Sequence, residues 1–338
     1  MTTDQITNLS TGLVSKLKLT QVASLITDQI LALKTGQITK LTTEQLDAMS
    51  VAQIRTFTND QIASLETGQT QALLPPQIAA LTTDQIQGLT SAQIGVLGSQ
   101  QTVRLTKAQI TAFSTQQLSA LGTQISVLNP SFISSLSVGQ IASLSTEQID
   151  ALTSVQATTL TVAQVAGLTT AQIAAIEVSD LAAMSTTQIR ALTTDQIRAL
   201  GSDQIAGLGT KQVASLSLNQ IAALKTDQIV SLGSTDIPAL TALQFSTLSA
   251  EQFVALTSDQ IKALTTAQAA ALTTSQAAAM TTAQMANLEA QDLQAIKTAQ
   301  LTQLQTQLIE NMSSEQISSL TLPQISAMTL DQVKAIST

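Results

Sequence analysis

Apolar residues recur along this chain at alternating intervals of five and three, closing a period of eight that runs from the first residue to the last. The segment Leu81-Thr82-Thr83-Asp84-Gln85-Ile86-Gln87-Gly88-Leu89 shows the unit: an apolar marker, two hydroxyl residues, a variable residue, Gln, Ile, a second variable residue and a small one. Markers fall at every eighth position from 1 to 121 and again from 128 to 336, and 32 of the 43 are Leu. The interval Leu121–Leu128 alone is seven residues long. A five-and-three spacing is not the alternation of a half-buried strand. Ala and Gln, good helix formers, are abundant. The pattern predicts an all-α solenoid, one very short capped helix per octad. A β-solenoid is the alternative, since Thr and Ile favour strands, but the turn glycines it needs are scarce, 13 in 338 residues.

The octad reads as a helix start. With Thr82 at the N-cap, its hydroxyl accepts from the backbone N–H of Gln85, and the Gln85 side chain reaches back to the N–H of Thr82, a capping box. Leu81 and Ile86 then occupy the positions of a hydrophobic staple, before Leu89 opens the next unit. Leu192, Thr193, Gln196, Ile197 and Leu200 repeat the set. Gln fills the third helical position in 36 of 42 octads. Acidic residues such as Asp4, Asp84, Glu147 and Glu315 precede it, at the positive end of the helix dipole. Each cap is worth about 1 kcal/mol. Pro75 and Pro130 fall at the first helical position, and Pro76 and Pro323 at the second, where no donor is lost. Pro238, at the fifth, predicts a helix too short or distorted to need its N–H. Eight residues leave room for one to two helical turns, and helices that short stand only when packed. The small residue before each marker, as at Ala151, Gly167 and Ala183, lets turns approach closely. The residue after Ile, as at Arg55, Gln87 and Lys262, is expected to face water.

The organisation expected is a single continuous array over 1–338, with an irregular step at 121–136. A longer period overlies it. Asp replaces Gln at Asp180, Asp236 and Asp292, steps of 56 residues, and earlier irregular octads contain Leu13, Thr70 and Gly122. These define super-repeats starting near 9, 65, 121, 176, 232 and 288. Two readings stand: duplication of a 56-residue unit, or seven octads making one superhelical turn. The three aspartates would line a calcium site if turns stacked them, but a capping role at the third helical position is the reading favoured.

Composition excludes chemistry more than it supplies it. The chain has no Cys, His, Trp or Tyr. Thiol nucleophiles, imidazole bases, Ser-His-Asp triads and the usual zinc ligands are therefore absent. No phosphate loop, HExxH or EF-hand motif occurs. Neither a cofactor nor enzymatic activity is expected. Net charge is −8 with 14 basic residues, none clustered, so no nucleic-acid partner is expected. No apolar run approaches membrane-spanning length, and the first residues do not read as a Sec signal peptide.

The recurring Leu-Thr-x-x-Gln-Ile/Val-x-Ala-Leu/Ile resembles the opening helix of TAL-effector repeats, which begin with a similar LTPEQVVAI segment. The second helix and base-reading loop of those repeats are missing, so no DNA role carries over. Over its full length the chain is more similar to bacterial proteins built of tandem LTTxQIxA octads, a resemblance that implies a structural, exported or surface-associated role and supplies no functional residues. Repeat register runs into both termini without polar capping repeats. The expectation is a structural subunit that partners itself head to tail, an open-ended contact that builds a filament, pilus-like fibre or sheath, located outside the cell or on its surface. The alternatives are a monomeric solenoid, adhesin-like, recognising a protein or glycan, and an ice-binding surface made of the Thr arrays.

Overall fold

The computed structural model describes residues 1–336. Among them there is no strand; forty α-helices of four to seven residues and one 3-10 helix follow one another in chain order. The fold is all-α and solenoid-like. Contacts divide the chain into two compact units, Met1–Leu168 and Thr169–Thr338.

Within each unit a helix packs on those three octads before and after it. Thr83–Gly88 lies between Asn59–Ala63 and Lys107–Ala112, and Thr274–Ala279 lies between Ala250–Val254 and Thr298–Leu301. The octad's two apolar positions make the core. Ile86 is fully shielded and Leu81 and Leu89 nearly so; Ile197, Leu192 and Leu200 repeat this in the second unit. The residue after Ile points outward at Arg55, Gln87, Arg190 and Lys262. Burying two aliphatic side chains per octad at about 1.5–3 kcal/mol each holds helices that would not form alone.

Where a core side chain departs in size, a neighbour compensates. Phe245 and Phe253 fill the Ile position of consecutive octads and meet edge to face, ring centroids 6.2 Å apart at 82°. The helices packed on theirs carry Ala269 and Ala277 in the same position, both fully buried. A large ring against a methyl keeps the interior at constant volume.

The prolines sit where helix physics puts them. Pro75 and Pro130 open Pro75–Ala80 and Pro130–Ile133, and Pro323 is second in Leu322–Ala327. Residues 234–239, around Pro238, form turns instead of a helix. The seven-residue step is absorbed by the 3-10 helix Gly122–Val127, whose Gly122 has φ +53°, the only positive φ among the described residues. Only glycine takes that backbone without strain.

Candidate functional site: the glutamine stitch

Most of the octad glutamines are buried, and they do more than cap. In Thr83–Gly88 the box closes as the residue pattern predicts: Gln85 N–H donates to Thr82 Oγ1 at 3.1 Å, and Thr82 N–H donates to Gln85 Oε1 at 2.9 Å. Thr193 and Gln196 form the same pair at 3.2 and 2.7 Å. Glu44 shows the electrostatics of these helix starts: its own backbone N–H, then the Thr42 hydroxyl, hold its carboxyl below the ordinary value.

The box leaves the amide nitrogen and its two hydrogens unused. They cross to the preceding turn. Gln61 Nε2 donates to Ile30 O and Leu33 O, both at 2.8 Å. Gln93 Nε2 donates to Ile62 O at 2.9 Å and Leu65 O at 2.8 Å. In the second unit Gln260 reaches Ile229 O at 2.8 Å and Leu232 O at 2.7 Å. Gln85 does the same to Ile54 and Phe57 at 3.3 and 2.6 Å, and bonds Arg55 O as well. The acceptors are carbonyls at the end of a short helix, where the i→i+4 ladder has run out; the first of each pair, such as Ile62 O, also accepts the backbone N–H three residues on, that of Leu65 at 3.2 Å. One side chain thus caps the start of its own helix and the end of another a turn earlier. Both amide hydrogens and the amide oxygen are engaged, in a site where an unmet polar group costs about 1–3 kcal/mol.

The spacing of this stitch sets the pitch of each unit. Its partners lie 28 and 31 residues back in the chain, so a turn takes three to four octads; 28 residues is three and a half. Seven octads therefore span about two such turns, not the single turn of the geometric reading, and the reading of the 56-residue period as a duplicated unit stays open. The 56-residue comb recurs on every second turn of a unit.

The glutamine's second role was missed in the sequence, although a signal was present. A capping box accepts Glu as readily as Gln, yet no octad has Glu there. Only the amide brings donors for carbonyls outside its own helix.

The irregular octads depart from the pattern in different ways. Leu13, exposed, replaces a glutamine in Thr11–Val14. Thr70 takes a buried Ile position and gives its hydroxyl to Glu66 O at 3.2 Å. One turn on, buried Thr102 Oγ1 has no partner. After Gly122 the register slips and heals: Gln140 bonds 29 and 27 residues back, Gln148 30 and 26, and Gln156 again 31 and 28. Asp180 and Asp236 are buried. Asp236 caps, accepting from Gly233 N–H at 3.0 Å and the Thr210 hydroxyl at 2.8 Å. Asp292 does not: it is fully buried, and neither carboxyl oxygen has a hydrogen-bond partner. Burial, then the nearby charge of Glu289, pushes its pKa up to about 6. The capping role expected of the aspartates thus fails at Asp292, where neither oxygen meets the Glu289 N–H. Among the described residues no three acidic side chains gather to hold a metal, and no helix is long and apolar enough to cross a membrane.

A solenoid of eight-residue helical units with buried, stitching glutamines is a tandem LTTxQ-type octapeptide-repeat protein. The model of the ALTTAQ repeat matches it five times, over residues 38–74, 76–107, 173–210, 205–234 and 229–266. No curated protein matches the chain.

Proposed function

We propose that this chain is a non-catalytic structural protein whose solenoid assembles with copies of itself into a filament, pilus-like fibre or sheath outside the cell or on its surface. The observation that supports this reading is the chemistry of the stitch. Gln61, Gln93 and Gln260 read backbone carbonyls, not particular side chains. Any turn built this way is complementary to any other, within one molecule or between two. Contact between unlike faces of identical subunits builds an open polymer wherever the rotation it imposes does not close a ring. The hydroxyls that would serve as nucleophiles, such as Thr82 and Thr193, are occupied in caps, and no His is available to activate them.

Negative-stain microscopy across a wide range of protein concentration tests the proposal. Ordered polymers that lengthen with concentration are expected. Discrete monomers at every concentration overturn it. A second reading, a monomeric solenoid that binds a protein or glycan, draws support from apolar side chains left exposed, among them Val155, Leu243 and Leu322. It predicts monomers that bind a defined ligand on a glycan or peptide array.

A further inference from the structure

In the second unit the stitch lapses over three consecutive octads. Gln284 still donates to Phe253 O at 2.7 Å, and the next to cross is Gln316, to Met285 O at 2.7 Å and Leu288 O at 2.9 Å. Between them stand Asp292, Gln300 and Leu308. Leu308 has no amide. Gln300 makes no capping box at Lys297, and its buried Oε1 is unpartnered. Asp292 has no partner on either oxygen. A single exposed bond, Gln305 Nε2 to Ala278 O at 3.1 Å, spans this stretch. Three octads are nearly a whole turn, so the seam between 257–280 and 289–308 rests on apolar packing by buried Leu293, Leu301, Leu304 and Leu308.

Asp292 is the group on this seam whose bonding changes with its proton. In stitched octads its slot holds a donor to carbonyls 31 and 28 residues back, which for this octad are those of Ile261 and Leu264. A carboxylic acid has one hydrogen to give to such a carbonyl. A carboxylate has none and repels it. We propose that this seam is a pH-operated hinge in the solenoid, closed when Asp292 carries a proton and loosened when it is ionised.

The surroundings favour that behaviour. The Asp292 helix, Ala290–Ala295, packs on Thr266–Ala270, which carries no titratable group, and on Ser314–Ser319, which brings Glu315. Glu289 heads its own helix, and its charge adds to the effect of burial; Asp259 and Lys262, on the helix that carries the Ile261 carbonyl, are exposed to solvent. The folded-state pKa near 6 lies above the ordinary 3.8. The closed seam therefore holds an extra proton between those values, and its advantage is lost as pH rises through about 6.

Hydrogen exchange of the whole chain at about pH 5 and about pH 7.5, corrected for intrinsic exchange, tests this. Protection of amides in 261–272 and 289–304 is expected to fall on the order of ten-fold across that range, while amides in 213–232, stitched on either side, hold theirs. Asp292→Asn, which donates at every pH, is expected to abolish the fall. Asp292→Gln, which restores the full stitch, is expected to be strongly protected at both. Equal protection of the seam at the two pH values in the native chain overturns the proposal. So does the same fall in either variant.

Discussion

Replacing Gln93 by Glu separates the glutamine's two jobs. The acceptor that caps Thr90 N–H at 2.7 Å survives, while the donors to Ile62 O at 2.9 Å and Leu65 O at 2.8 Å are lost. Two buried hydrogen bonds are worth about 1 kcal/mol each. The new carboxylate sits in a slot 2% exposed, against carbonyl oxygens. It escapes by taking a proton, which caps the charge penalty: holding a Glu of ordinary pKa about 4.3 neutral at pH 7 costs about 4 kcal/mol. The expected loss is about 3–5 kcal/mol of local stability at pH 7. Once protonated, the acid donates to one carbonyl, so the loss shrinks to about 1 kcal/mol near pH 4. The sign is that of a raised folded-state pKa: the variant loses stability as pH rises from about 4.3 toward neutrality. Repeat arrays need not unfold in one step, so the measurement is hydrogen exchange of amides in 62–66 and 93–97 rather than a global melt. Gln87→Glu, on the exposed face of the neighbouring octad, should change stability by no more than about 0.5 kcal/mol. If Gln93→Glu costs no more than that control at pH 7, the stitch does not hold the turns together.

Other substitutions probe packing between turns. A Cβ on Gly167 would stand 2.3 Å from Val138 Cγ1, so Gly167→Ala should destabilise the first unit by about 1–3 kcal/mol, and adding Val138→Ala should recover most of that in urea titration. Ala269→Ile overfills the space opposite Phe245 and should cost about 1–3 kcal/mol; paired with Phe245→Leu it should cost clearly less, and equal losses would refute the compensation. Thr102→Val removes a buried hydroxyl without a partner and should raise stability by about 1 kcal/mol, read as a higher urea midpoint.

Much of this fold is legible in one octad. Leu81, Thr82, Gln85 and Ile86 specify a cap, a staple and a helix of one to two turns, and the helix Thr83–Gly88 obeys them. Proline positions confirm the register because the first helical turn tolerates a missing N–H. The pitch was not legible. It depends on which distant carbonyl meets the glutamine amide, a pairing 28 and 31 residues long on which local propensity is silent. The fate of the aspartates was hidden for the same reason. Asp236 and Asp292 occupy the same slot, but a hydroxyl from Thr210, 26 residues away, serves only the first.

The healing of the register after Gly122 bears on how such chains change length. Losing one residue disturbs the glutamine contacts only until Gln156, which again finds its partners at the usual distances. Gain or loss of a whole octad should disturb still less, because each new neighbour offers the same carbonyls. Genes for such arrays are thus free to expand and contract by recombination between near-identical segments, with every product folding, and the reach of the protein becomes a quantity that copy number adjusts.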